Sequence, residues 1–163
     1  MQKKNKKKIK LQTSEALVSA LKHYEGLRLE AYKCPGGVWT IGYGHTFNVK
    51  RGDRITKYAA KEMLIEDIRI VEKQVLALKV CHKQGELDAL VSFAFNLGIE
   101  RLKVSTLLKR IQRHEGEDAI KHEFRRWVRA GGKELPGLVS RREWECLRFF
   151  QDSPYLPMNK KKH

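Results

Sequence analysis

The apolar residues of this chain change their repeat twice, and the two switches confine β-structure to one short early stretch. Leu17, Leu21 and Tyr24 recur at helical spacing, with Thr13 or Ser14 placed to cap that helix and Gly26 placed to end it. Two runs then follow, Leu29 to Lys33 and Val38 to Tyr43, the second rich in β-branched and aromatic residues, around a turn made by Cys34, Pro35, Gly36 and Gly37. This pattern predicts a hairpin whose second strand puts Trp39, Ile41 and Tyr43 on one face and Val38 and Thr40 on the other. A Gly/Asp turn within His45 to Arg54 is expected to add a third short strand.

After Thr56 everything reads as helix. The stripe Ala60, Leu64, Ile68, Val71, Val75 and Leu78 marks a helix long enough to bridge two lobes. A second helix carries Leu87, Leu90, Val91, Ala94 and Phe95 and stops near Gly98, and a third begins at Ser105 with Leu107, Leu108 and Ile111. A fourth holds Ile120, Phe124, Trp127 and Val128 before Gly131 and Gly132, and the last spans about Val139 to Phe150. The fold class is therefore α+β and mainly helical. We expect one domain over residues 12–153 in two lobes: an N-terminal lobe with the hairpin (12–56), a linking helix (57–79) and an all-helical C-terminal lobe (80–153), with a cleft between them.

The net charge of +15 is uneven, because six lysines lie in the first ten residues and Lys160, Lys161 and Lys162 close the chain. Without those nine lysines about +6 remains on the body, so residues 1–11 read as a basic disordered arm and 154–163 as a basic tail. Such an arm suits a polyanion, and nucleic acid, anionic lipid and bacterial wall polymers all meet that electrostatic requirement. No run approaches the roughly 18 apolar residues needed to span a bilayer, and no hydrophobic segment follows the basic N-terminus as an export signal requires. Three cysteines (Cys34, Cys81, Cys146) form no CxxC pair, which suits a reducing compartment, and His82, His114 and His122 make no ligand cluster.

Chemistry concentrates around Glu25. It falls at the C-terminal end of the first helix, where the helix dipole disfavours a second negative charge and so favours a carboxylic acid able to donate a proton. Proton donation to a leaving oxygen is what cleavage of a glycosidic bond requires. From Glu25 there follow eight residues, Cys34, five residues, Thr40, and a Gly-x-Gly-His ending from Gly42 to His45. One hairpin at that spacing brings a turn residue and a strand hydroxyl toward a carboxyl group at the preceding helix end.

This run resembles the active-site segment of the T4-type phage lysozymes, in which Glu is followed by Asp or Cys and then Thr. The resemblance extends to Ala89–Gly98, to Ser105, to Trp127 and to Gly137–Glu145, which fit the lambdoid phage and prophage members, and it covers about residues 13–150. It implies a lysozyme-like fold and hydrolysis of the β-1,4 bond between N-acetylmuramic acid and N-acetylglucosamine in peptidoglycan, with no metal and no organic cofactor. The catalytic set it implies is Glu25, Cys34 and Thr40. Where Asp is common in the family this chain has Cys34, a thiol that could act as base, nucleophile or electrostatic partner once deprotonated, so the stereochemical outcome stays open. By the same resemblance His45 pairs with Asp67 in a structural ion pair, and Thr46 and Phe95 match positions that line the sugar cleft, although Phe95 also suits a core role.

The biological setting implied is that of an endolysin: a monomer held in the host cytoplasm until a separate hole-forming membrane protein releases it to the wall, with the basic arm free to meet anionic wall or outer-membrane surface. Two other classes compete. A catalytically silent module would bind wall glycan without releasing reducing ends, and it fits poorly with an intact Glu25. A nucleic-acid-binding protein would need its cations and aromatics on one shared surface, whereas most of the excess charge here lies in the ends of the chain, so no nucleic acid partner is expected.

Overall fold

The computed structural model describes residues 10–151, so most of the basic arm (1–9) and the C-terminal tail (152–163) lie outside the described residues. Helix α1 (Glu15–Glu25) starts at Ser14, whose hydroxyl accepts the Leu17 N–H, and stops at Gly26, which takes φ of 71°. Strands β1 (Arg28–Lys33) and β2 (Trp39–Gly42) pair antiparallel, with Lys33 opposite Trp39 and Arg28 opposite Gly42 and an irregularity between. The predicted inside–outside alternation of β2 gives way to burial on both sides. Thr40, Ile41 and Gly42 are all buried, because one face packs on α2 so tightly that a Cβ on Gly42 would sit 3.5 Å from that of Ala60. Tyr43 falls outside the strand and packs against the helical core.

No third strand forms among the described residues. The segment from His45 to Arg54 contributes two isolated bridges, Ile41 to His45 and Glu30 to Arg54. Asn48 and Gly52 both adopt positive φ, and the Asp53 carboxylate accepts the Lys50 N–H, so the segment is taken up by turns before it can extend.

Thr56 caps α2 (Lys57–Leu76), which ends a little short of the predicted residue 79. Next comes α3 (Gln84–Leu97), where the Glu86 carboxylate accepts the backbone N–H groups of His82 and Lys83. Gly98 breaks the path and a short helix that the sequence pattern did not reveal, α4 (Ile99–Val104), leads to Ser105, the cap of α5 (Thr106–Gln112). Helix α6 (Glu117–Arg125) closes before Trp127 and Val128, which were expected inside it. Gly131 and Gly132 then take positive φ as the two-residue turn of a small hairpin, β3 (Arg129–Ala130) with β4 (Lys133–Glu134), so the chain is not wholly helical after Thr56. The final helix, α7 (Pro136–Phe149), opens with proline in its first turn, three residues ahead of the predicted start.

Helix α3 forms the centre of the core. Nine of its residues, including Leu87, Leu90, Val91 and Phe93, are buried among α1, α2 and α7. Phe93 meets Phe124 and Trp127 edge to face, with ring centroids 5.8 and 5.5 Å apart, so the half-buried Trp127 packs against the core. Helix α7 lies so close to α3 that a Cβ on Gly85 would stand 2.0 Å from the Arg148 carbonyl oxygen. Beside that contact the fully buried Arg148 guanidinium donates to Asp88 through Nε (2.8 Å) and Nη2 (2.6 Å), and Asp88 accepts in turn the Ser14 hydroxyl and N–H. Three helices are thus tied at one point. Replacement of Asp88 by Ala removes the buried carboxylate shared by Arg148 and Ser14, and urea denaturation is expected to show a loss of about 1.5–3 kcal/mol; a loss under about 1 kcal/mol would mean that the tie contributes little.

Candidate active site

Glu25 sits where α1 ends and the chain turns into the hairpin. Its carboxyl group is held from two sides. Oε1 accepts Arg141 Nη1 of α7 at 2.7 Å, and Oε2 faces the turn after β2, where a Cβ on Gly44 would come within 3.4 Å. Glu25 is mostly shielded and Arg141 almost wholly so, with side chains 21% and 3% exposed, so this pair sits in a less screened environment than a surface salt bridge. Arg141 is itself fixed. Its Nη2 donates to the Ser92 carbonyl oxygen (3.0 Å), its Nε reaches the Ser92 hydroxyl (3.3 Å), and its guanidinium lies 5.5 Å from the Tyr24 ring centre. An open cavity of about 440 Å³ is lined by Glu25, Arg141, Tyr24, Asn96 and Ser140, large enough to admit part of a sugar chain.

Cys34 and Thr40 come together on the hairpin. Cys34 occupies the turn, with its N–H bonded to Val38 O (3.0 Å) and its carbonyl accepting Gly37 N–H (2.8 Å). Backbone hydrogen bonding from Val38, then from Gly36, and the Thr40 hydroxyl hold the half-buried thiol below its ordinary pKa. Thr40 is buried, and its hydroxyl oxygen lies 3.1 Å from Val38 O, so its single proton is directed either there or to the Cys34 sulfur. The hydrogen bond that Glu25 makes is to Arg141 and not to either of these two residues; Glu25 meets the hairpin through Gly44.

His45 bridges back to Ile41 through two backbone hydrogen bonds of 2.9 Å. Its Nδ1 lies 2.8 Å from Asp67 Oδ2 on α2 and its Nε2 lies 3.0 Å from Phe47 O, so both ring nitrogens are engaged. The next residue, Thr46, is exposed. Phe95 is half-buried and packs on the core cluster one residue before the cavity-lining Asn96. Arg141 and Ser92 were not singled out from sequence as site residues. The available signal was the run of charges Arg141, Arg142, Glu143, Glu145 and Arg148 interleaved with Trp144, Cys146, Leu147 and Phe149, which signals buried ion pairs once α7 is seen to pack on α3.

The phage lysozyme family matches residues 22–145. The chain belongs to that family. An endolysin of Acyrthosiphon pisum secondary endosymbiont phage 1 is 43% identical over 141 residues, 83% of this chain and 96% of that protein. An endolysin of Bacillus phage PZA is 40% identical over 149 residues, 88% of this chain but only 57% of that longer protein. Among solved structures, the muramidase domain of SpmX from Asticaccaulis excentricus superposes with a TM-score of 0.78 at 34% identity, covering 87% of this chain and 99% of that one. The fold is accordingly lysozyme-like, mainly helical with a small hairpin sheet.

The three thiols differ in a way that can be read out directly. Burial pushes Cys81 up to about 12 and Cys146 up to about 11, whereas Cys34 is lowered. Iodoacetamide at neutral pH is expected to alkylate Cys34 well ahead of the other two in peptide mapping by mass spectrometry. Equal labelling of all three would show that the hairpin does not activate its thiol.

Proposed function

We infer that this protein is an endolysin-type lysozyme, a glycoside hydrolase that cleaves the β-1,4 bond between N-acetylmuramic acid and N-acetylglucosamine in bacterial peptidoglycan and so lyses the cell. The observation that carries the reading is a carboxyl group at a helix end, Glu25, clamped by a buried guanidinium beside an open cavity and next to the hairpin that bears Cys34 and Thr40. Membership of the phage lysozyme family and 43% identity to an endolysin of nearly equal length support it.

In this reading protonated Glu25 gives its proton to the glycosidic oxygen as the bond to the anomeric carbon breaks. Water adds to that carbon from the opposite face and releases a proton to the Cys34 thiolate, which is more available than an ordinary thiol because of its hydrogen bonds. Thr40 orients the thiolate or the water, with an oxygen that can both donate and accept. His45 and Asp67 brace the turn that faces Glu25, and Thr46 and Phe95 contact the sugar chain. The hairpin region and the helices after α2 form the two sides of the cleft, with α2 joining them.

The protein acts as a monomer from the host cytoplasm, reaching the wall after a separate membrane protein opens a hole, and its basic arm draws it to anionic wall or outer-membrane surface. No helix among the described residues is long and apolar enough to cross a membrane.

Turbidity loss and reducing-end release on purified peptidoglycan test the reading. Glu25→Gln, folded by circular dichroism, is expected to lose about 1000-fold in rate, the scale of a general acid's contribution. Cys34→Ser is expected to lose about 100-fold if the thiolate takes the proton, and unchanged activity would assign that step to Thr40 and water alone. A wild-type protein that binds wall and releases no reducing ends would overturn the assignment.

A further inference from the structure

The buried carboxylate of Glu145, one turn beyond Arg141 on α7, has no part in the mechanism above, yet it stands directly behind the acid's clamp. Its side chain is fully buried. Oε1 accepts the Ser92 hydroxyl at 2.7 Å and Arg142 Nη2 at 3.0 Å, and lies 3.6 Å from Arg141 Nε. Oε2 is 2.8 Å from Arg142 Nε, close but not aligned as a hydrogen bond. Arg142 is equally buried; it donates to Asn96 Oδ1 of α3 at 3.0 Å and covers the Phe93 ring. The result is a row of alternating charge that runs from the cavity inward: Glu25, Arg141, Glu145, Arg142.

Two features of this row bear on Glu25. The first is hydrogen-bond polarity. Ser92 has one hydroxyl proton, and with that proton directed to Glu145 its oxygen lone pairs are left to accept from Arg141 Nε. The second is charge. A guanidinium 2.7 Å from Glu25 favours the ionised form of an acid that must donate a proton, and a carboxylate on its far side counters that pull. We propose that Glu145 is a positioning residue for the acid: it commits the Ser92 proton and counter-charges Arg141, so that Arg141 fixes the Glu25 carboxyl in place without fixing it in the ionised state. The inference rests on the lysozyme reading only for its consequence in catalysis, since the charge relation itself exists in the free protein.

The groups around both carboxylates enter the balance. Glu25 is faced by Arg141 from α7, by Tyr24 and His23 of its own helix, and by Asn96 of α3 across the cavity. Glu145 is faced by Ser92 from α3, by Arg141, Arg142 and Cys146 of α7, and more distantly by Tyr24 of α1. Burial is the largest influence and leaves the Glu145 carboxyl raised overall, while Arg142, Arg141 and the Ser92 hydroxyl pull it back toward the ionised form.

The test is the titration of the Glu25 carboxyl carbon followed by NMR with 13C-labelled glutamate, assigned by its disappearance in Glu25→Gln. In Glu145→Gln that titration is expected to move to lower pH by about one unit, and in Glu145→Asp, which restores the charge, to return toward the wild-type position. Because Glu145→Gln leaves buried Arg142 without its carboxylate and could unfold, the same comparison is made in an Arg142→Gln background, where Arg142→Gln and Arg142→Gln/Glu145→Gln differ only at residue 145. A Glu25 titration unmoved between folded members of either pair overturns the proposal. The pH–rate profile on peptidoglycan separates this from the functional reading. If the NMR titration moves, an alkaline limb of kcat that moves with it, at near-constant KM, supports both, whereas a limb that stays put removes Glu25 as the acid and leaves the charge relation standing.

Discussion

The close packing of α3 on α7 is the constraint on which the other features depend. Because Gly85 lets the two backbones meet, polar side chains along the seam are sealed from water and must satisfy one another. Two charge clusters result. At one end Asp88 and Arg148 take in Ser14 and so fix the start of α1. At the other Ser92, Glu145 and Arg142 surround Arg141, and Arg141 reaches out of the core to fix the end of the same helix at Glu25. Buried ion pairs of this kind add little net stability, because desolvation offsets their attraction, but they penalise every arrangement that separates the partners. Their effect is to specify where α1 lies.

Much of this was legible in the sequence, and the reasons are physical. Long helices declare themselves by period, so α2 and α3 were placed to within a few residues, and the caps Ser14, Thr56 and Ser105 carry the side chains that helix starts require. The first hairpin was readable from Cys34 to Gly37 because glycine and proline there restrict the chain to a turn. What escaped were elements too short to show a period: α4, with six residues, and the β3–β4 hairpin, whose Gly131–Gly132 turn looks in sequence like a helix stop. The expected third strand failed for the complementary reason. Its residues have strand character, but two positive-φ positions and the Asp53 turn use up the length a strand needs.

The same divide separates the parts of the candidate site. Glu25, Cys34 and Thr40 lie on one continuous segment, so the resemblance of that single run to the phage lysozyme motif could select all three. Arg141 and Ser92 are 116 and 67 residues away from Glu25 and reach it only through the α3–α7 packing, a tertiary fact that no local pattern encodes. Glu145 is more obscure still, since an acidic residue on a helix ordinarily faces solvent. Its burial follows from the register of α7, where Arg141, Arg142, Glu145, Cys146, Arg148 and Phe149 share the inward face.

The proposed catalytic residues are carried by different supports. Glu25 stands on a helix pinned at both ends to the helical body, by Asp88 and Arg148 at its start and by Arg141 at its finish. Cys34 and Thr40 ride instead on a hairpin that rests on α2. The proposed proton donor and its proposed counterparts therefore belong to separately supported parts of the frame. In the proposed mechanism, a shift of the hairpin on α2 would change the distance between them while leaving the Arg141 contact with Glu25 intact.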